Sequence, residues 1–231
     1  MIINSKIIAH RGIYDNIKVP ENSIKAFKKA IDLNYPFELD VQMTSDGEIV
    51  VFHDDNLKRL TGIDKNLSDC SYEEVKNLKL NNTFNHIPLF EDVLKLNNDK
   101  SLILIEIKST KYRKQIIDKI MNLLDGYSNY IIQSFDPKIV KYIKKHYSDI
   151  VCGLLLHHNY DNFFLNIILK SSFILRYSKC DFVSLSKKLL KNKKYMRKID
   201  GYEKCIWTIK SNEEMKLDND IHYICDELPF K

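Results

Sequence analysis

Residues 37–55 read Phe37-Glu38-Leu39-Asp40-Val41-Gln42-Met43-Thr44-Ser45-Asp46-Gly47-Glu48-Ile49-Val50-Val51-Phe52-His53-Asp54-Asp55. The pattern is that of two strands joined by a turn. On the first strand Phe37, Leu39, Val41 and Met43 alternate with Glu38, Asp40 and Gln42, the period-2 signature of a strand with two distinct faces. Asp46-Gly47 is a two-residue hairpin signal, because a type I′ turn needs positive φ at both central positions. That turn pairs Ser45 with Glu48, and counting outward sets Asp40 opposite His53. Directly opposed residues share a sheet face, so Glu38, Asp40 and His53 are expected on one surface. Two carboxylates and an imidazole there make a divalent-cation site with an acid–base group beside it. An amphipathic hairpin with its polar face in water would show the same local pattern, so the rest of the chain decides.

Strand-like and helix-like segments alternate on both sides of this stretch, which predicts a parallel α/β architecture. Before it lie a short buried strand, Ile7–His10, a loop with Pro20, and a helix over Ile24–Leu33 that Asn22 or Ser23 can cap. After it, residues 56–100 are irregular, with short helices around Tyr72–Leu78 and Phe90–Leu96. Strands follow at Ser101–Lys108, Tyr130–Phe135, Val151–Leu156, Asp181–Ser186, Lys204–Ile209 and Tyr223–Asp226. Helices are expected over Tyr112–Leu124, from Pro137 onward, over the apolar Tyr160–Leu175, and in the basic run Lys187–Lys198. With the second hairpin strand set aside as an antiparallel excursion, eight strands remain, the number of a (β/α)8 TIM barrel with a short insertion after the second strand. Linkers, repeats and low-complexity tracts are absent. One domain is expected over residues 1–231, with about 44–100 as hairpin, insertion and connecting helices. The five residues after Asp226 leave no room for an eighth outer helix.

Composition narrows the class. Of 231 residues, 44% are hydrophobic and 29% charged, as in ordinary soluble globular chains. Cys70, Cys152, Cys180, Cys205 and Cys225 are odd in number and form no C-x-x-C pair, so reduced core thiols in a reducing compartment are expected. The N-terminus lacks a basic region followed by an apolar one, and no apolar run approaches the ~18 residues of a membrane span. The expectation is a cytoplasmic protein with no stable membrane insertion. The net charge of +5 comes mostly from lysine, densest between Lys187 and Lys198. That cluster reads as a solvated helix face, and no nucleic-acid partner is expected.

Barrel active sites lie at the C-terminal ends of the strands. Those ends gather His10 and Arg11, Glu38 and Asp40, Glu106 and Lys108, Gln133, Trp207 and Asp226. In Leu102-Ile103-Leu104-Ile105-Glu106-Ile107-Lys108, alternation puts Glu106 and Lys108 on the face that should point into the barrel. Ionised groups buried there need each other or a bound ion. Three hard carboxylates, Glu38, Asp40 and Glu106, suit Mg²⁺ or Ca²⁺ rather than Zn²⁺. His10 and His53 titrate near neutrality and can serve as acid and base, while Arg11 and Lys108 add fixed positive charge. Together they describe a site for a phosphate ester.

The chain also resembles the glycerophosphodiester phosphodiesterase family. The resemblance rests on Ala9-His10-Arg11-Gly12, Pro20-Glu21-Asn22-Ser23, Glu38-Leu39-Asp40-Val41, Thr44-Ser45-Asp46-Gly47, Val51-Phe52-His53-Asp54, Ile105-Glu106-Ile107-Lys108, Ser134-Phe135, Trp207-Thr208 and Cys225-Asp226. Each motif is weak alone; nine in order are specific. The resemblance implies a phosphodiesterase barrel in which Glu38, Asp40 and Glu106 bind the metal and His10 and His53 are the acid–base pair. Arg11 and Lys108 would hold the phosphate of a small-molecule glycerophosphodiester, and Trp207 would either line the pocket or fill core. It further implies that the glycerol 2-hydroxyl of the substrate attacks phosphorus, one histidine taking its proton and the other protonating the leaving alkoxide. Asn34-Tyr35-Pro36 and the spacing Asp226-Glu227-Leu228-Pro229 depart from the family pattern. His86, His146, His157, His158 and His222 are expected to be structural or surface residues, and Glu21 and Asn22 to brace the first helix or support the site. Two rivals stay open. One is a lysophospholipase D-like enzyme with an acyl groove along residues 163–169; the other is an inactive phosphodiester- or membrane-binding module.

Overall fold

The computed structural model of the chain describes residues 3, 5–159, 171–215, 221–226 and 228. Its strands are β1 (Ile7–Ala9), β2 (Phe37–Met43), β3 (Ile49–Val51), β4 (Ile103–Ile107), β5 (Tyr130–Ser134), β6 (Cys152–Leu156), β7 (Phe182–Ser186), β8 (Glu203–Ile209) and β9 (Ile221–Cys225). All but β3 run parallel and pair in sequence, and β1 bonds to both β2 and β9, so eight strands close into a ring. The (β/α)8 barrel expected from the alternation is the fold observed. Closure is by direct pairing of the first and last strands, Ile7 with Tyr223, Ile8 with Ile224 and Ala9 with Cys225. The departures noted at the family's turn before β2 and at the chain's end therefore leave the ring intact.

The strands are nearly continuous apolar runs because both faces are covered. Ile103, Ile105 and Ile107 face the helical layer, while Leu104 faces the barrel interior with Ile8, Ile131, Phe182 and Ile224. Gly153 of β6 stands beside Phe182 of β7, and a Cβ there would lie 2.3 Å from the ring. That glycine is what lets a phenylalanine fill the interior. The helices are α1 (Ile24–Asp32), α2 (Lys58–Thr61), α3 (Tyr72–Val75), α4 (Phe90–Asn97), α5 (Arg113–Leu123), α6 (Pro137–His146), α7 (Ser172–Ser178) and α8 (Lys193–Lys198). Ser23, not Asn22, caps α1, its hydroxyl accepting from the Ala26 N–H at 3.2 Å. Most of the apolar helix expected over Tyr160–Leu175, including the proposed acyl-groove segment, lies outside the described residues. The basic run forms a 3₁₀ turn, Lys187–Lys191, followed by α8.

One expectation is corrected. In the β2–β3 hairpin Val41 pairs with Val51, Gln42 with Val50 and Met43 with Ile49, so Thr44, not Ser45, stands across from Glu48. The loop has three residues, Ser45-Asp46-Gly47, closed by the Gly47 N–H on the Thr44 carbonyl at 3.0 Å, with Gly47 at φ +89°. Asp40 consequently faces Phe52, whose N–H donates to the Asp40 carbonyl at 2.9 Å. The Thr44 side chain selects the longer loop: its hydroxyl accepts from the Glu48 N–H at 2.9 Å and donates to Asp46 at 2.6 Å. Beyond β3, Phe52, Leu57, Leu67, Val75, Leu80 and Ile87 form a small core of the insertion with Val50.

Candidate active site

The site is built at the C-terminal ends of β1, β2 and β4. Past β1 the chain turns sharply, with Arg11 at φ +57° and Gly12 at φ +80°. A Cβ on Gly12 would meet the Ala26 backbone at 2.7 Å, so only glycine lets this loop lie against α1. The turn aims the Arg11 N–H at Glu38 Oε2, 3.0 Å away. On β2, alternation sends Glu38 and Asp40 to the same side, and the parallel register places Asp40 beside Glu106 of β4. One carboxylate oxygen from each of Glu38, Asp40 and Glu106 lies within 4.8 Å of the others, a geometry that could hold a metal ion.

Three buried acids repel one another, and their surroundings set the balance. Burial, reinforced by the charges of Asp40 and Glu106, pushes the Glu38 carboxyl well above its usual range. Burial and Asp40 likewise raise Glu106, although Lys108 opposes them. Burial would raise Asp40 too, but Lys108 and Arg11 hold it well below the ordinary range. Lys108 Nζ donates to Asp40 Oδ1 at 3.2 Å and to Glu106 Oε1 at 2.8 Å. Asn22 adds a bond to Asp40 Oδ2 at 2.8 Å, a supporting contact rather than a helix cap. A cluster with two of its three acids pushed upward is short of positive charge, and its donors are all oxygen. Those two features fit a hard divalent cation.

The two histidines are held alike. His10 Nδ1 lies 2.6 Å from Asp226 Oδ1, which also accepts from the Tyr14 hydroxyl at 2.8 Å, while His10 Nε2 sits 4.0 Å from Glu38. His53 Nδ1 lies 2.6 Å from Asp54 Oδ1. Each aspartate is an acceptor, so Nδ1 carries the hydrogen and Nε2 is left to give or take a proton. Burial, helped by Lys108 and Arg11, outweighs the Asp40 charge and holds His53 below the usual imidazole range. His53 reaches the site from just beyond β3, not from across Asp40. Gln42 fixes that segment, its Nε2 donating to the carbonyls of Phe52 and Asp54, both at 2.9 Å.

Both histidines, Arg11, Glu38 and Glu106 line one cavity of about 140 Å³, with Gln133, Phe135, Trp207, Thr208 and Ile224 on its other walls. Lys108 reaches this cluster from the rim through its bonds to Asp40 and Glu106. Trp207 lines the cavity and also packs against the barrel interior, edge-on to Phe135 at 5.6 Å and stacked on His157 at 5.8 Å. His157 therefore borders the site. Sequence reading set it aside because nothing in its neighbours shows that the end of β6 meets Trp207. His86 and His146 are both exposed, away from the cavity. His222 is buried near the start of β9, beside Glu203 and the Ser5 carbonyl. For Glu21 the sequence offers two roles, bracing α1 or supporting the site. It accepts from Arg11 and Arg59, and although burial favours its protonation, these arginines lower its carboxyl to about 2.

A model of the glycerophosphoryl diester phosphodiesterase family matches residues 10–225. The chain belongs to this family. Among curated relatives, a glycerophosphodiester phosphodiesterase of Caldanaerobacter subterraneus subsp. tengcongensis is 37% identical over 161 residues, covering 64% of this chain and 65% of the relative. The chain thus spans about two thirds of the length of that family member. A human lysophospholipase D is 44% identical, but over 73 residues only, 31% of this chain and 22% of the relative. Among solved structures, an Oleispira antarctica phosphodiesterase in complex with the product sn-glycerol-3-phosphate superposes with a TM-score of 0.80 at 19% identity, covering 97% of this chain and 94% of that one. That likeness shows the family's fold.

Proposed function

We propose that the protein, as one domain over residues 1–231, hydrolyses glycerophosphodiesters to glycerol 3-phosphate and an alcohol, with His10 and His53 as its acid–base pair. The observation that carries this reading is the pairing of two aspartate-anchored imidazoles with a buried three-carboxylate cluster on one small cavity. The names of the curated relatives and the product in the Oleispira structure support the substrate class. Glu38, Asp40 and Glu106 would hold Mg²⁺ or Ca²⁺, which when bound supplies charge to polarise the phosphoryl group.

Arg11 presents a buried Nε, 3.4 Å from Asp40 and without a hydrogen bond, as a donor for a phosphoryl oxygen. Lys108 supplies a second cation at the rim of the cluster. Trp207 packs on the glycerol carbons, and its buried Nε1–H, which has no hydrogen-bond partner, is free to meet a hydroxyl. No thiol is suited to attack: all five cysteines are buried and unpaired, and burial pushes the Cys225 thiol up to about 12. As the family resemblance implies, the nucleophile is the glycerol 2-hydroxyl of the substrate. One histidine takes its proton as the new P–O bond forms, and the other gives a proton to the departing alkoxide. Water opens the resulting cyclic phosphate with the two roles exchanged.

The buried free thiols favour a reducing, cytoplasmic setting, and among the described residues no helix is long and apolar enough to cross a membrane. An inactive binding module would have no use for two oriented imidazoles. Turnover of glycerophosphocholine, glycerophosphoethanolamine and a lysophospholipid, with and without chelator, tests the reading. Water-soluble diesters should be cleaved, chelator should abolish cleavage, and Mg²⁺ or Ca²⁺ should restore it. Failure on every glycerophosphodiester after metal reconstitution would overturn the function; undiminished turnover after metal stripping would remove the cation.

A further inference from the structure

Arg59 lies on α2, in the insertion, and touches neither the cavity nor the carboxylate cluster. Four of its five guanidinium N–H groups are nonetheless engaged. Nε donates to Asp54 Oδ2 at 2.6 Å and Nη2 to Asp54 Oδ1 at 3.1 Å. Nη1 donates to Glu21 Oε2 at 3.0 Å and Nη2 to Glu21 Oε1 at 2.7 Å. One planar fork thus grips two carboxylates bidentately, the geometry that separates arginine from lysine. Each carboxylate carries the grip onward. Asp54 Oδ1 is also the atom that holds His53 Nδ1, and Glu21 Oε1 is also the atom that holds the Arg11 guanidinium. Glu21 is 3% exposed and Arg59 46%, so the clamp closes over an almost buried acid from the solvent side.

We infer that Arg59 is a positioning residue for this site: through Asp54 it sets the ring of His53, and through Glu21 it sets the guanidinium of Arg11. The inference rests on the reading of His53 and Arg11 as working residues. Without Arg59 the Asp54 carboxylate is free to rotate from His53, and the imidazole loses both its tautomer and its aim. Misplacement on the scale of an ångström costs on the order of 10²-fold in rate.

Arg59→Ala and Arg59→Lys test it, with Lys58→Ala as the control on the same helix, since Lys58 pairs with Asp64 alone. In both Arg59 variants kcat should fall about 10–100-fold and KM should rise by a smaller factor as Arg11 loosens on the phosphate, and lysine should not rescue, because it cannot make two bidentate pairs. Guanidinium chloride at millimolar concentration should recover part of the Arg59→Ala loss and nothing in Asp54→Asn. The ¹⁵N resonances of the His53 ring should move in Arg59→Ala in the direction seen for Asp54→Asn, while the melting temperature stays near that of Lys58→Ala. Wild-type kcat in Arg59→Ala overturns the inference, as does a loss that tracks the melting temperature without guanidinium rescue. The ring resonances decide independently of turnover. If the wild type proves inactive on every diester, unchanged His53 resonances in Arg59→Ala still sink the positioning role, and shifted ones uphold it.

Discussion

At the scale of single residues, His10 and His53 meet the cavity with Nδ1 already pledged to Asp226 and Asp54. General acid–base groups contribute about 10²–10⁴-fold, so His10→Ala and His53→Ala should each lose about that much kcat while circular dichroism stays unchanged. Near-wild-type turnover in either variant would take that histidine out of the mechanism. The carboxylates make a second, opposite prediction for stability. Glu38 and Glu106 have folded-state carboxyls raised above the ordinary 4.5. A raised acid favours the fold while protonated, and that contribution drains away as pH climbs through the raised value. Metal-stripped wild type should therefore lose melting temperature from about pH 5 toward neutrality more steeply than Glu38→Gln or Glu106→Gln. Added Mg²⁺ or Ca²⁺ should raise the wild-type midpoint and leave the variants largely unmoved. Superimposable curves for stripped wild type and variants would contradict the strain assigned to the cluster. These acids were legible because strand alternation puts Glu38 with Asp40, and Glu106 with Lys108, on predictable faces. Arg59 and Gln42 were not: nothing local to either residue says which carboxylate or carbonyl it will fold back to meet.

Among the elements, the β2–β3 hairpin shows where local sequence stops deciding. Asp46-Gly47 is compatible with a two-residue turn and with the three-residue loop that forms. The choice is made by the Thr44 hydroxyl and by Asp46, whose carboxylate accepts from the Tyr72 N–H at 3.1 Å at the start of α3, 26 residues on. Such a partner is invisible to a count along the strand. The loop still needs a left-handed residue at its last position. A Cβ on Gly47 would meet only Lys119 Nζ at 3.9 Å, so substitution there costs conformational energy and nothing steric. Gly47→Val should destabilise by about 1–2 kcal/mol and Gly47→Asn by clearly less, as read by urea denaturation. Equal losses would mean the loop is held by something other than its backbone.

Over the whole molecule, the alternation of strands and helices was enough to read the barrel, because a parallel sheet covered on both faces must be built from near-continuous apolar strands. What the alternation could not show is how the interior is filled. Gly153 and Phe182 look unrelated in sequence, yet the β6–β7 register makes one the socket of the other. Gly153→Ala puts a methyl 2.3 Å from the ring carbons of Phe182, a fully buried residue. Overpacking of this kind should cost about 1–3 kcal/mol in chemical denaturation, and pairing it with Phe182→Leu should recover part of the loss. Strict additivity of the two substitutions would show that they do not share the space.

The pairing of β1 with β9 also governs when the protein can begin to work. His10 leaves the ribosome well before the aspartate that orients its ring, which follows 216 positions later. At about 5–20 residues per second, translation leaves that interval open for roughly 10–40 s. Throughout it the edge of β1 lacks its last neighbour and the imidazole lacks its anchor. A nascent chain released after Thr208 but short of Asp226 would carry eight of the nine family motifs and one unanchored histidine. Onset of turnover during cell-free synthesis should therefore coincide with completion of β9, which makes activity a direct report on closure of the ring.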